Sequence, residues 1–404
     1  MNKIFGSRAS GNKNYSDKPH ALTRKQRVQA QTRKLKKPGW VIVAAMSAIL
    51  LLLSCVISFF TPNAYLPDTS NNKNGITMDF VGDVMLGRNI KKLGDAFGYD
   101  KLFSNMTGFW KNADLVFANL ESAVLKKDVS SYNEADRDIH LWTDYNALKA
   151  ASKSGINVFS CSNNHILDYG KKALTELMDY FNKHKIVYSG IGKTISEAAS
   201  YEIIECGGAK IAFISISEAY YKKDIATESR SGILTLAYTD YNMLVYDASR
   251  QADVTIVYIH WGEENGTHAS KDQVSIGQQL IDAGADIVIG SHPHVVQEVE
   301  KYGKGIIFYS LGNFIFDQGN TFACDSVMVE YSANREGKGA FYLYPVRING
   351  GIPSVTTNWF YKARINHKLS LGLEKDSYYT DENGFIVIPF DISLSDEGSV
   401  TNET

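Results

Sequence analysis

Proline is scarce in this chain, 8 of 404 residues, while 44% of the residues are apolar. That balance excludes a Pro-rich or largely unstructured chain and leaves most of it able to bury a core. Cysteine is scarcer still, with 4 in all. Cys161, Cys206 and Cys324 lie beyond the apolar segment described next. An odd number cannot complete a disulfide framework, and their spacings match no zinc motif, so they read as small buried side chains. Charge is missing altogether from Trp40 to Phe60. As a helix that stretch would be about 32 Å long, enough to cross a bilayer core. Net charge is also nearly absent, -2 overall, but this hides an asymmetry. Residues 1–39 hold eleven Lys or Arg against the single acid Asp17, or +10, which leaves -12 for the remainder. A basic arm can bind nucleic acid, but one that leads straight into an apolar span reads instead as its cytoplasmic flank, placing everything after Phe60 outside. No nucleic-acid partner is expected. A cleaved signal peptide would be shorter than this. Lipidation at Cys55, in Leu52-Leu53-Ser54-Cys55, is the rival to an uncleaved anchor, although apolar residues continue past it.

The segments that follow are a linker over 61–75, a main domain over 76–320, a β-rich closing part of that domain over 321–392, and an acidic tail over 393–404 expected to be disordered. Helices are predicted from Thr143-Asp144 through Lys153, over Tyr169–Lys183, Asp240–Gln251 and Lys271–Ala283. Gly207-Gly208 marks a hairpin between Tyr201–Glu205 and Lys210–Ser217. Five apolar runs end abruptly in metal-ligand side chains. Ile76–Val81 runs into Gly82-Asp83, and Asp114–Ala118 into Asn119-Leu120-Glu121. Ile156–Ser160 runs into Asn163-Asn164-His165, Val254–Ile259 into His260-Trp261-Gly262, and Asp286–Gly290 into His292-Pro293-His294. Short β-branched runs alternating with helical segments read as buried strands of an α/β sheet, and ligands collect beyond the ends of such strands.

His292-Pro293-His294 is the sharpest local signal. In an extended segment residues i and i+2 project to one side, and Pro293 biases His292 towards that conformation, so two imidazoles are expected to meet a metal without a special loop. Asp83 offers a hard oxygen or a plain strand-ending turn, and Glu121 a metal-bridging carboxylate or a solvated one. Asn164 offers a carbonyl ligand or a turn cap, and His260 a ligand or a buried histidine bonded to backbone. His165 is suited to protonating a leaving group, and Asp168 to orienting its imidazole or to capping a helix. Arg88 is suited to gripping an anionic group bidentately, or to a surface salt bridge. Asn313, in Ser310–Asp317, either touches the site or shapes a turn. Four of only nine histidines fall at these strand ends, and it is the joint pattern that points to a metal-dependent hydrolytic site.

Phe80–Arg88, Asn119-Leu120-Glu121, Asn163–Gly170, His260-Trp261-Gly262, Ser291–Val295 and Tyr309–Phe314 together resemble the CapA/PgsA family of poly-γ-glutamate capsule synthesis proteins. The basic arm and anchor match that layout too. The family is in turn similar to calcineurin-like metallophosphoesterases, which implies a sandwich of two β-sheets flanked by helices with a two-metal site at the strand ends. The resemblance implies Asp83, Glu121, Asn164, His260, His292 and His294 as metal ligands, with His165 near the leaving group. Two positions depart from the phosphoesterase pattern: Met85 stands where a ligand His is usual, and Glu121 where a bridging Asp is usual. One ion, or a weakly held pair, is expected; Mn²⁺ fits the mixed O/N donors best, with Zn²⁺ or Fe as alternatives. Three roles follow. The first is a membrane-anchored extracytoplasmic component of poly-γ-glutamate synthesis and export, partnered by a ligase and integral membrane subunits and handling an anionic polymer. The second is a cell-surface metal-dependent hydrolase of phosphoesters or a polymer backbone. The third is a non-catalytic scaffold.

Overall fold

The computed structural model describes residues 23–25, 27, 39–59 and 75–392. The chain divides into two units, 1–61 and 62–404, described separately. In the first, the 21-residue helix Gly39–Phe59 forms over the uncharged stretch. Among the described residues no helix is long and apolar enough to cross a membrane, so the anchor expected at 40–60 is not confirmed. Most of the basic arm, most of the 61–75 linker and the whole of the 393–404 tail lie outside the described residues.

The second unit is mixed α/β. Its larger sheet has ten strands, and the central one, Gly75–Val84, pairs in parallel with Leu115–Leu120 and antiparallel with Asp325–Asn334. Val158–Ser160 continues the parallel half and Gly339–Asn349 the antiparallel half, so the closing segment completes the sheet that the opening strand begins. The second sheet has six strands. Ala209–Ser217, Val254–His260, Ile287–Ser291 and Gly305–Phe308 run parallel at its centre, with antiparallel strands at both edges.

Side-chain alternation explains why the two sheets stack. Ile76, Met78 and Phe80 point to one face of their strand, as period-2 geometry requires, and share a core with Phe213, Ile256, Tyr258 and Ile289 of the other sheet. Phe117 meets Phe213 at 5.3 Å and Tyr258 at 6.5 Å between ring centroids. Tyr258 also donates its hydroxyl to the Val81 carbonyl at 2.7 Å, tying the sheets together just below the strand ends. Helices cover the outer faces. Gly170–His184 buries Leu174, Leu177 and Phe181 on the larger sheet's side, and Lys271–Asp282 buries Leu280 on the smaller one's.

Local signals account for some of the helix starts. Asp144 caps Tyr145–Ser154, and Ser270 with Gln273 forms a reciprocal capping box. The helix predicted over Asp240–Gln251 is shorter, Tyr241–Ser249. Arg88–Phe97 and Trp359–Ser370 are helices that periodicity does not announce. The second starts at an Asn358 cap and buries only Ile365 and Leu369. Cys161, Cys206 and Cys324 are all free; Cys161 is buried and the other two are half-buried.

Candidate metal centre

Five loops after parallel strands converge at one end of the stacked sheets. Gly82 allows this approach, since a Cβ there would stand 1.8 Å from the Gly312 carbonyl oxygen. The next residue, Asp83, is fully buried. Its Oδ1 accepts from Asn119 Nδ2 at 2.8 Å, its Oδ2 accepts from the His292 backbone N–H at 3.3 Å, and His294 Nδ1 lies 3.2 Å from Oδ2. His294 Nδ1 also lies 2.9 Å from Asn313 Oδ1. The Asn313 amide nitrogen donates to the His294 and Ala323 carbonyls, which fixes its oxygen as the acceptor. Nδ1 therefore carries the proton, and Nε2 is left as the ligand atom.

Glu121 is the centre of the cluster. One of its oxygens, Oε1, lies 3.9 Å from His260 Nε2 and 3.7 Å from His294 Nε2. Both carboxylate oxygens are buried without a hydrogen-bond partner, and His292 Nδ1 is likewise buried and unpartnered. These separations are too long for hydrogen bonds, but ligands about 2.1 Å from a common ion stand roughly 3–4 Å apart. Glu121 with His260 and His292, and Asp83 with Glu121 and His294, each bring three ligand atoms within 4.8 Å of one another. The protonation directions suit a cation. Burial first, and then the Asp83 charge, push the Glu121 carboxyl well above its usual range. Burial, with neighbouring imidazoles, pushes His260 well below its usual value and His292 down to about 4. Neutral imidazoles beside a carboxylate that lacks its counter-charge are the donor set a divalent ion requires.

Asn163 and Asn164 divide the roles their sequence left open. Asn163 caps the turn, its Oδ1 accepting from the backbone N–H groups of His165 and Ile166. Asn164 Oδ1 lies 2.9 Å from His260 Nε2. His165 Nδ1 lies 2.8 Å from Asp168 Oδ2, which also accepts from the Leu141 N–H at 2.6 Å. Asp168 therefore orients an imidazole; the Gly170–His184 helix takes no side-chain cap.

One expectation is corrected. His292 has φ 95° and His294 φ 59°, so the paired imidazoles come from a left-handed loop after the strand has ended at Ser291, not from extended backbone. Left-handed φ costs about 1–3 kcal/mol per residue, and such strain persists where the surroundings over-determine it. Of the two roles left open for Arg88, the structure shows the salt bridge: its guanidinium pairs with Asp317 and packs over Phe316, whose ring lies 4.8 Å from His294.

Arg137 was missed, because it sits in a polar loop without periodicity. Its side chain is buried and donates to Asp168 Oδ1 at 2.8 Å, to the Asn164 carbonyl at 2.6 Å and to Asp224 at 2.7 Å. One side chain therefore holds the carriers of both Asn164 and His165. At Asp224, burial outweighs the Arg137 charge and keeps the carboxyl above its ordinary range. Asn119 was named only as part of its strand end, without a role, and Ser291 and Glu264 were given none. Only Asn119 had a signal, since it lies two residues before Glu121 at the same strand end.

Together these features define a two-sheet α/β protein with a buried carboxylate–histidine cluster of metal-ligand type. The model of the bacterial capsule synthesis protein family PGA_cap matches residues 77–318, so the chain belongs to that family. It is 32% identical to the capsule biosynthesis protein CapA of Bacillus anthracis, over 87% of this chain and 86% of that protein. It is 31% identical to the PGA biosynthesis protein CapA of Bacillus subtilis (strain 168), over 80% and 84%. Among solved structures, a 5'-nucleotidase precursor from Thermus thermophilus aligns at TM-score 0.35 and 12% identity, over 73% of this chain and 58% of that one.

Proposed function

We propose that this chain is the membrane-anchored, extracytoplasmic component of a poly-γ-glutamate capsule synthesis and export machine, and that its strand-end cluster is a calcineurin-like divalent-metal site. The observation that carries the metal reading is Glu121: a fully buried carboxylate with no partner, set between His260 and His294. An unpaired buried charge is expensive, and a cation removes that cost. Family membership and the CapA relatives support the capsule role, and the anchor is motivated by the sequence alone, an uncharged stretch over Trp40–Phe60 behind a basic arm. Mn²⁺ remains the favoured ion, in one position or two, with Glu121, His260, His292, His294, Asp83 and Asn164 as the ligands to be shared between them.

A divalent cation there would lower the pKa of water towards ~7 and supply a nucleophile at neutral pH. In its imidazolium form His165 would keep the Nδ1 proton on Asp168 and pass the Nε2 proton to a departing oxygen, returning to neutral imidazole. The Arg137–Asp168–His165 chain favours hydrolytic trimming of an anionic polymer over a pure scaffold, because a scaffold gains nothing from an oriented imidazole. A ligase and integral membrane subunits would be the partners. The test is complementation of a capsule-negative deletion strain. We expect the wild-type gene to restore polymer, and His292→Ala at equal protein level to lower or deregulate it. Polymer of normal amount and length with His292→Ala would remove the metal site from the function.

A further inference from the structure

The loop after His260 carries two adjacent glutamates whose surroundings differ. Glu263-Glu264-Asn265-Gly266 is a tight turn in which the Gly266 N–H donates to the Glu263 carbonyl at 3.0 Å, and Asn265 takes φ 63°. Its Asn265 N–H donates to the Pro293 carbonyl at 2.8 Å, between the two imidazoles of His292-Pro293-His294. One hydrogen bond thus clamps the turn to the histidine loop. Of the pair, Glu264 is the one that brings a carboxylate oxygen within 4.8 Å of ligand atoms of both His292 and His294. Glu264 is exposed, while His292 and His294 are 7% and 3% exposed. The unpartnered His292 Nδ1 is a second, independent sign of a missing ligand there. Met85 offers nothing: it is fully buried, and its sulfur accepts from the Gly87 N–H at 3.1 Å within its own loop.

We infer that Glu264 is a metal ligand, completing with His292 and His294 a solvent-facing divalent-cation position beside the buried one centred on Glu121. This rests on the metal reading above and extends it: the ligand that position 85 does not give is replaced by a carboxylate from a different strand end. The clamp to Pro293 keeps Glu264 and the histidines at a fixed spacing, as direct coordination requires.

The full chain, stripped with a chelator, is titrated with Mn²⁺ while free ion is followed by electron paramagnetic resonance. The wild type should take up two equivalents. Glu264→Gln should keep one and weaken the other by at least about tenfold. Glu263→Gln should titrate as wild type, and Glu121→Gln should lose both. A Glu264→Gln curve that superimposes on a two-equivalent wild type overturns the assignment while leaving the metal reading intact. So does a wild type with a single equivalent that is indifferent to Glu264→Gln. A wild type that takes up no Mn²⁺ sinks both.

Discussion

Asp79 and Asp83 lie four residues apart on one strand, and both are fully buried. Their surroundings are opposite. Asp83, at the strand end, meets an amide donor, a backbone N–H and a histidine. Asp79, within the ladder, has no partner on either oxygen and stands opposite Glu330 in the register. Inside a sheet the backbone N–H groups are consumed by strand pairing, so a carboxylate finds no donors there. Beyond the last ladder bond the N–H groups of irregular loops become available. Burial, and then the Glu330 charge, raise the Asp79 carboxyl well above its usual range, and burial raises Glu330 to about 7. One end of the strand thus surrounds a carboxylate with donors, while the middle suppresses its charge.

Removing a counter-charge should turn the first kind of site into the second. Arg137→Ala would leave Asp168 and Asp224 buried without their cation. Losing one partner of a buried pair costs about 3–5 kcal/mol, and we expect a loss of that size in urea unfolding. A loss under ~1 kcal/mol would mean that these carboxylates are already neutral or hydrated in the folded protein, and the contrast would collapse.

The Asp79–Glu330 pair gives the reverse experiment. An acid whose folded pKa is raised stabilises the fold below its unfolded value, and that contribution is lost as pH rises through the folded value. For Glu330 the window runs from 4.5 to about 7. At ~1.4 kcal/mol per pKa unit, the loss across it is on the order of 3 kcal/mol. Glu330→Gln should flatten the fall in melting temperature over that window, with the largest gain at its alkaline end. An unchanged slope would place the titration elsewhere.

Reading the sequence captured what strand ends advertise and missed what the chain hides. Apolar runs ending in Asp83, Glu121, Asn164, His260 and His292 were legible because parallel strands buried on both faces lack alternation, which makes the change to polar side chains abrupt. Asp79 was invisible for the same reason: it sits inside a run that reads as apolar on either side. The identity of the two histidines was legible but their backbone was not, since left-handed φ at His292 and His294 is imposed by neighbouring loops rather than by His-Pro-His itself. Arg137 and Asp317 act through partners far away in sequence, and no local pattern marks such pairs.

The smallest expected effect tests the contrast at its centre. Glu121 has the burial of Asp79 but the neighbours of a ligand, so its contribution should change sign with metal. Without a cation its raised pKa makes it a liability that grows as pH rises through the folded value. Glu121→Gln should therefore raise the melting temperature of chelator-treated protein at pH ~7.5, as removal of a suppressed carboxylate would. With Mn²⁺ at about a hundred times its dissociation constant, binding adds about 2.7 kcal/mol to the wild type alone. The two melting curves should then exchange order. If Glu121→Gln is the more stable protein under both conditions, Glu121 is a second Asp79. If it is the less stable under both, the carboxylate has a partner other than a metal.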